Sequence, residues 1–343
     1  MGKLGKNGLV DTAMRSKMIS RRRFLQAALA GGLFTGINYL SPAFAKGLNT
    51  QSSWTSANRG SRLEAGSPSL TALSAAMQRA AHQIMDRPLI LDDPIALRII
   101  GAENERNLRL NPSRFNRSPL LRAFITLRSR YAEDQLALAI QRGLQQYVIL
   151  GAGLDTFPYR NPYPKSELLV FEVDHPSTQV WKRQRLSQSD IPIPESLVFA
   201  PVDFERQTLG DGLKNVGFLS DKPAFFSCLG VVIYLTKPAV METLGYVASL
   251  SPGSEIVFDY TIPPSLLGFW QRMDYAWRAG KVAAIGEPWI TFFEPSSLAS
   301  DLHRMGFKHI EDLGPQEANQ RYFKGRTDGL RVAGPGHLMK AQC

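Results

Sequence analysis

The chain has 343 residues, of which 44% are hydrophobic, enough for one large domain or two small ones. Its formal net charge is +10, but residues 1–23 hold seven Lys and Arg against one Asp. Residues 24–45 carry no charge, so the remainder, with 33 basic and 29 acidic residues, has a net charge of only +4. Because nucleic-acid-binding domains carry a domain-wide basic stripe, this distribution argues against a nucleic-acid partner.

The basic N-terminus has the pattern of an export signal. Residues 20–26, Ser-Arg-Arg-Arg-Phe-Leu-Gln, resemble the twin-arginine motif, and a mildly apolar run follows from Ala27 to Leu40. Ala43-Phe44-Ala45 then offers a small-x-small cleavage site. The run contains three glycines and is a poor membrane span, so no stable anchor is expected after cleavage. We expect a signal over 1–45 and export to the periplasm or exterior; a basic disordered extension on a cytoplasmic protein is the alternative.

Residues 46–68, rich in Ser, Asn, Gly and Thr, are typical of a disordered linker, which leaves a globular domain over residues 69–340. The two cysteines indicate no disulfide framework. The five histidines and two cysteines also lack the spacing of metal ligands, so no metal site is predicted.

The domain is organised around residues 147–156. Tyr147 to Leu150 form a short bulky run, which predicts a strand buried on both faces. Gly151 and Gly153 then allow a sharp turn and a close approach of a ligand to the backbone. A dinucleotide fingerprint would need a third glycine at Thr156 and a long helix, which the prolines at 158, 162 and 164 prevent.

The next apolar strand, residues 168–174, ends in Asp174, which stands 21 residues after Gly153. This spacing is typical of a carboxylate that binds ribose hydroxyls. Asp155 places a negative charge where phosphates would lie. A ligand with a ribose, no phosphate and a positive charge fits S-adenosylmethionine. The stretch therefore favours a methyltransferase, with an NAD-dependent oxidoreductase as the alternative.

Strands and helices alternate along the rest of the domain, which predicts a Rossmann-like parallel sheet with helices on both faces and an N-terminal helical extension. The remaining predicted strands are 196–204, 223–234, 255–260, 307–313 and 330–332, and the predicted helices are 70–85, 120–142, 177–186, 238–250 and 295–305. A short helix is expected to begin near Asp92, and residues 101–118 are predicted to be loop. Residues 261–293, with several aromatic residues, are interpreted as a pocket wall or lid or, equally, as ordinary core packing.

Several motifs resemble the leucine carboxyl methyltransferase family, closest to its bacterial branch of S-adenosylmethionine-dependent methyltransferases. They are Arg-x-Arg-Tyr-x-Glu-Asp at 128–134, Leu-Gly-Ala-Gly-Leu-Asp-Thr at 150–156, Phe-Glu-Val-Asp-His-Pro at 171–176, Pro-Val-Asp-Phe at 201–204, Gly-Val-x-x-Tyr-Leu-Thr at 230–236 and Gly-Glu-Pro-Trp at 286–289. The resemblance covers about residues 69–340. It implies a class I methyltransferase fold with a mostly parallel seven-stranded sheet.

The resemblance also implies roles for single residues. Arg128 would bind the methionine carboxylate of the cofactor, and the backbone at Gly151 and Gly153 would contact its methionine part. Asp174 would bind both ribose hydroxyls. Asp203 would accept a hydrogen bond from the adenine amino group, with Phe204 beside the ring. Many relatives carry Glu where this chain has Leu229, which leaves the acceptor side open.

The expected reaction is O-methyl transfer by in-line displacement to a carboxylate or hydroxyl of a small molecule. A carboxylate with a pKa near 4 is already ionised at neutral pH and needs no base, whereas a hydroxyl needs one. His175, Asp259 and Tyr260 are the candidate bases, and no spacing selects one of them. A non-catalytic ligand-binding protein on the same scaffold is the other alternative, because S-adenosylmethionine is not expected outside the cytoplasm.

Overall fold

The computed structural model describes residues 70–113, 119–204, 206–284 and 288–343. The predicted signal segment 1–45 and the predicted linker 46–68 lie outside these residues, so both stay predictions. Among the described residues, no helix is long and apolar enough to cross a membrane.

One sheet of seven strands forms the centre of the described domain. Its strands are β1 (Gln146–Leu150), β2 (Leu169–Asp174), β3 (Leu197–Pro201), β4 (Phe225–Cys228), β5 (Glu255–Thr261), β6 (His309–Leu313) and β7 (Gly336–Gln342). Their order is β3-β2-β1-β4-β5-β7-β6. The strands from β3 to β5 are parallel, and β7 is antiparallel to both β5 and β6. This is the predicted class I methyltransferase architecture.

The helices, in chain order, are α1 (Leu70–Met85), α2 (Ala96–Ile99), α3 (Ala102–Leu110), α4 (Pro119–Gln141), α5 (Pro176–Gln188), α6 (Leu209–Lys214), α7 (Lys237–Ala248), α8 (Phe269–Ala284), α9 (Pro295–Met305) and α10 (Pro315–Tyr322). Side chains of α6, α7 and α9 pack on one face of the sheet, and side chains of α4 and α10 pack on the other. The prediction of helices on both faces is confirmed.

The N-terminal helices form the predicted extension and contribute to a third buried cluster. Leu73 of α1, Ile99 of α2 and Leu108 of α3 belong to one buried cluster that also includes Leu186 of α5. Leu154, from the loop after β1, is buried in the same cluster. The extension therefore packs directly against the loop that the sequence singles out.

The prediction of loop over residues 101–118 was wrong in its first half, which is the helix α3. The apolar signal is weak, because Leu108 is the one buried residue that α3 contributes. Local electrostatics support the helix instead. Glu103 and Glu105 lie in its first turn, and Arg109 Nη2 lies 2.8 Å from Glu105 Oε1 one turn earlier.

Two predicted strands end earlier than expected, and one is misplaced. The strand predicted over 223–234 ends at Cys228, because Gly230 has a φ of +74° and turns the chain. The strand predicted over 196–204 ends at Pro201. Residues 330–332 form no strand, and the last strand is Gly336–Gln342. Its sequence mixes polar and apolar residues, so its place depends on pairing with β5 and β6 rather than on a local pattern.

The aromatic segment 261–293 contains the helix α8. Residues 285–287 of this segment lie outside the described residues. Tyr275 on the inner side of α8 lies 5.3 Å from the ring of Trp289 and 5.8 Å from that of Phe292. Trp289 Nε1 donates to the Tyr234 hydroxyl at 3.3 Å. These contacts join α8 to the turn that follows β4. Whether the segment acts as a lid stays a prediction.

Candidate cofactor-binding site

The carboxyl ends of β1, β2, β3 and β4 lie side by side, with the change of strand order falling between β1 and β4. Open α/β sheets bind ligands at such a point. The chain leaves β1 through Gly151, which has a φ of +65°, and its amide donates to the Val173 carbonyl at 2.8 Å. A Cβ atom at position 151 would lie 2.4 Å from Val231 Cγ2. Both the backbone conformation and the close packing therefore require glycine.

Asp174 and Gly153 lie in direct contact. The Gly153 amide donates to Asp174 Oδ2 at 2.6 Å, and the His175 amide donates to Oδ1 at 2.7 Å. Burial raises the pKa of the Asp174 carboxyl, and the two backbone amides partly offset that effect. The Thr178 side chain also hydrogen-bonds to this carboxyl. The carboxylate is therefore oriented by its neighbours, and the lone pairs that remain can accept hydrogen bonds from a vicinal diol.

Arg128 reaches the same edge of the sheet from α4. Its Nη1 lies 3.3 Å from Asp259 Oδ2, and the Gly230 amide donates to Asp259 Oδ1. The guanidinium lies flat against Gly230, where a Cβ atom would be 2.7 Å from Nη2. Asp259 thus holds both the turn after β4 and the arginine. Arg130, two residues along α4, points elsewhere and contacts Asp134 one turn later at 2.7 Å.

Asp203 and Phe204 follow β3 at the outer end of this row. The Val202 amide donates to the Asp174 carbonyl at 2.9 Å, which places Asp203 beside the end of β2. Arg206 Nε lies 3.4 Å from Asp203 Oδ2 on the surface. Phe204 is 59% exposed, so its ring is open to a ligand. The sequence-predicted residues therefore lie along one edge of the sheet, and Asp174 and Gly153 are in contact.

A buried ionic network behind the glycine loop was missed by the sequence interpretation. Asp93, fully buried, accepts a hydrogen bond from the Thr156 hydroxyl at 2.6 Å, and Arg160 Nε lies 3.3 Å from its Oδ1. Arg79 of α1 donates to the Leu154 carbonyl at 2.5 Å. Glu133 of α4 accepts from Arg160 Nη1 at 2.8 Å. The network connects residues 154–160 to α1 and α4. The one signal for it in the sequence was the pair of acidic residues before Pro94, Asp92 and Asp93.

A buried ion pair also connects β2 to α5. Lys182 Nζ of α5 donates to Glu172 Oε1 at 2.6 Å, and both side chains are almost fully buried. The Tyr159 hydroxyl also donates to Glu172, at 3.3 Å. Burial raises the pKa of the Glu172 carboxyl to about 7, although the Lys182 ammonium opposes the rise. This pair connects the loop after β1, the strand β2 and the helix α5.

Two of the three candidate bases make structural hydrogen bonds, and the third is buried. His175 caps α5, because its Nδ1 accepts from the Ser177 amide at 3.3 Å. Asp259 contacts Arg128 and Gly230 as described above. Tyr260 is 1% exposed, and burial raises the pKa of its hydroxyl.

The donor set suits the ligand that the sequence suggests. A guanidinium pairs with a carboxylate, an oriented aspartate accepts from ribose hydroxyls, and backbone without Cβ atoms permits close contact with an amino acid. Asp155 lies beside the glycines, and its Oδ1 accepts from the Phe157 amide at 2.8 Å. A carboxylate in that place disfavours phosphate and tolerates a cationic ligand. The residues present therefore fit S-adenosylmethionine better than a dinucleotide.

Sequence comparisons with known proteins agree with this interpretation. The sequence model of the Leucine carboxyl methyltransferase family matches residues 72–248. YktD of Bacillus subtilis (strain 168), named as a candidate S-adenosyl-L-methionine-dependent methyltransferase, is 35% identical over 298 residues, which cover 80% of this chain and 97% of YktD. A Mycobacterium avium (strain 104) protein with a corresponding name is 29% identical over 243 residues, or 65% of this chain and 76% of that protein. A candidate methyltransferase from Thermobifida fusca YX has a solved structure with 17% identity and a TM-score of 0.49, covering 82% of this chain and 96% of that one.

The chain therefore belongs to the leucine carboxyl methyltransferase family. It is an S-adenosylmethionine-dependent methyltransferase, and the family resemblance and the cofactor predicted from the sequence are confirmed.

Proposed function

We propose that this enzyme transfers a methyl group to an oxygen atom of a small molecule, and that the oxygen belongs to a carboxylate rather than a hydroxyl. The observation that carries the proposal is that His175 and Asp259 make structural hydrogen bonds and that Tyr260 is buried. A hydroxyl acceptor needs a base to remove its proton, whereas a carboxylate is ionised at neutral pH.

The proposed roles follow from the contacts at the edge of the sheet. Arg128, held by Asp259 against Gly230, binds the cofactor carboxylate through its planar fork. Asp174, oriented by two backbone amides, accepts from both ribose hydroxyls. Asp203 and Phe204 bind the adenine end, where Phe204 offers an exposed ring.

Bound S-adenosylmethionine supplies a methyl group on a cationic sulfur. The task of the chain is to align the acceptor and to exclude water, since orientation alone can supply a large part of the rate enhancement. Leu229, partly buried against the core at the end of β4, contributes an apolar wall where many relatives carry Glu. We infer that the acceptor has an apolar part beside its carboxylate.

The test uses the enzyme with methyl-labelled S-adenosylmethionine and a set of matched acceptors. Each pair has the same apolar skeleton and carries either a carboxylate or a primary alcohol. The products are then treated with mild alkali, which cleaves methyl esters and leaves ethers and N-methyl groups intact. We expect label to appear in the carboxylate products and to be released as methanol.

Alkali-stable label on the alcohol products would overturn the choice of carboxylate.

The variant Leu229→Glu tests the proposed apolar wall. It should retain cofactor binding and lose activity toward apolar carboxylates, because the new carboxylate repels a like charge. Unchanged activity in this variant would contradict the proposed wall.

A further inference from the structure

The outer side of α8 exposes a stripe of large apolar side chains, which we call the α8 stripe: Phe269, Trp270, Met273 and Trp277. Their exposed fractions are 62%, 77%, 54% and 59%, so each is more than half accessible to solvent. Met273 lies three to four residues after the adjacent Phe269 and Trp270, and Trp277 lies four residues after Met273, which aligns them on one side of the helix. Leu266, just before α8, is also 54% exposed.

The packing of α8 fixes the direction in which the stripe faces. Tyr275 is buried against Trp289 and Phe292. At 100° per residue, Met273 and Trp277 lie nearly opposite Tyr275 around the helix axis. The stripe therefore faces away from the core. Exposing this many aromatic residues in water is costly unless the surface binds something apolar.

The composition of the stripe and of the helix indicates the kind of partner. The α8 sequence carries three basic residues, Arg272, Arg278 and Lys281, against one acidic residue, Asp274. Tryptophan and phenylalanine on an apolar side, together with basic residues, are typical of helices that lie in the headgroup region of a membrane. A second copy of the chain fits less well, since a two-fold contact would place the same net-positive helix against itself.

We propose that α8 docks reversibly on an anionic lipid surface through the α8 stripe. The helix follows β5, which runs parallel to β1 and β4, so it departs from the same edge of the sheet as the cofactor site. Docking through α8 would hold that edge toward the lipid. The inference is independent of the methyl acceptor and of the transfer reaction.

The experiment measures sedimentation of the full chain with vesicles of phosphatidylcholine and phosphatidylglycerol, and with vesicles of phosphatidylcholine alone. The test variant is Trp270→Ser with Trp277→Ser. The control variant is Leu110→Ser with Leu219→Ser, which removes two other exposed apolar side chains, 69% and 53% accessible. Every protein retains residues 1–45, so any binding by that basic segment is common to all of them.

We expect the wild type and the control to partition onto the anionic vesicles. The partition coefficient of the test variant should be lower by about tenfold or more. Brominated lipids should quench tryptophan fluorescence in the wild type. That quenching should fall in Trp270→Phe with Trp277→Phe, which keeps an apolar stripe and should still bind.

Equal vesicle binding by the test and control variants would overturn the proposal, as would quenching unchanged in the phenylalanine variant. A concentration-dependent dimer that is lost only in the test variant, without vesicle binding by the wild type, would also overturn it and make the stripe a self-association surface. Circular dichroism and cofactor affinity should be the same in all four proteins, since none of these residues belongs to the proposed cofactor site.

Discussion

Gly230 shows how one residue without a side chain can position another. Its φ is +74°, and its Cα carries no atom where the Arg128 guanidinium lies. Gly230→Ala should therefore both strain the backbone and displace the guanidinium from Asp259. We expect a loss of stability of roughly 1–2 kcal/mol together with a loss of cofactor affinity of at least about tenfold.

The matched control is Gly217→Ala. Gly217 has a φ of +83° and no atom within 4 Å of the position of an added Cβ, so it shares the strain and lacks the clash. Thermal unfolding should show destabilisation in both variants, and calorimetry should show weakened cofactor binding only in Gly230→Ala. Equal affinities would contradict the proposed link between Gly230 and Arg128.

Asp174 gives the cofactor site a predicted pH dependence. Burial raises the pKa of its carboxyl, and only the ionised form accepts two ribose hydroxyl groups. Cofactor affinity should therefore fall as the pH is lowered, with a midpoint above the ordinary aspartate pKa of about 3.9. Titrations at a series of pH values check this. In Asp174→Asn the cofactor affinity should be lower at neutral pH and should not vary across the same pH range. If the affinity of both proteins changes with pH in the same way, Asp174 is not the titrating group.

The Glu172–Lys182 ion pair joins β2 to α5, but burial of the Glu172 carboxylate costs free energy. The pKa of Glu172 is raised from 4.5 to about 7. Between these values the folded protein holds a proton that the unfolded chain has released. The contribution of the pair to the free energy of unfolding should therefore fall as the pH rises from 4.5 to 7, by up to about 3 kcal/mol.

The double variant Glu172→Gln with Lys182→Met tests this by replacing the ion pair with neutral groups of similar size. Relative to the wild type, it should be equally stable or more stable at pH 7, and it should lack this negative slope. Urea unfolding at several pH values measures both. A variant much less stable than the wild type at pH 7 would show that the pair stabilises β2 and α5.

Local patterns in the sequence were enough to predict much of this fold and part of the site. Strands β1 and β2 have mostly apolar runs. Gly153 and Asp174, which the sequence singled out by their spacing, are in contact in the structure. The network around Asp93 could not be predicted in this way, because Thr156 lies 63 residues away in sequence. The same limit applies to β7, whose position depends on antiparallel pairing with β5, about 80 residues earlier.

For the whole molecule, we propose that residues 1–45, which lie outside the described residues, direct export of the folded protein by the twin-arginine route. Replacing Arg21 and Arg22 with lysine keeps the charge and should trap the precursor in the cytoplasm, because the guanidinium pair itself is recognised. Fractionation of the native host, with mass spectrometry of the N-terminus, should find a mature chain that begins at Lys46. Soluble cytoplasmic protein that retains residues 1–45 would contradict the proposal. Residues 1–45 would then be a basic extension of a cytoplasmic protein.

The central claim is that the edge of the sheet at β1, β2 and β4 binds S-adenosylmethionine through Arg128, Gly153 and Asp174. Calorimetric titration of the full chain tests it most directly, with S-adenosylmethionine and NADH as ligands. We predict one S-adenosylmethionine per chain, no binding of NADH, and a loss of roughly 1–3 kcal/mol in Asp174→Ala. Arg128→Lys should bind poorly, whereas Arg130→Lys should bind nearly as well as the wild type. Binding of NADH, or an unchanged affinity in Asp174→Ala, would contradict the account.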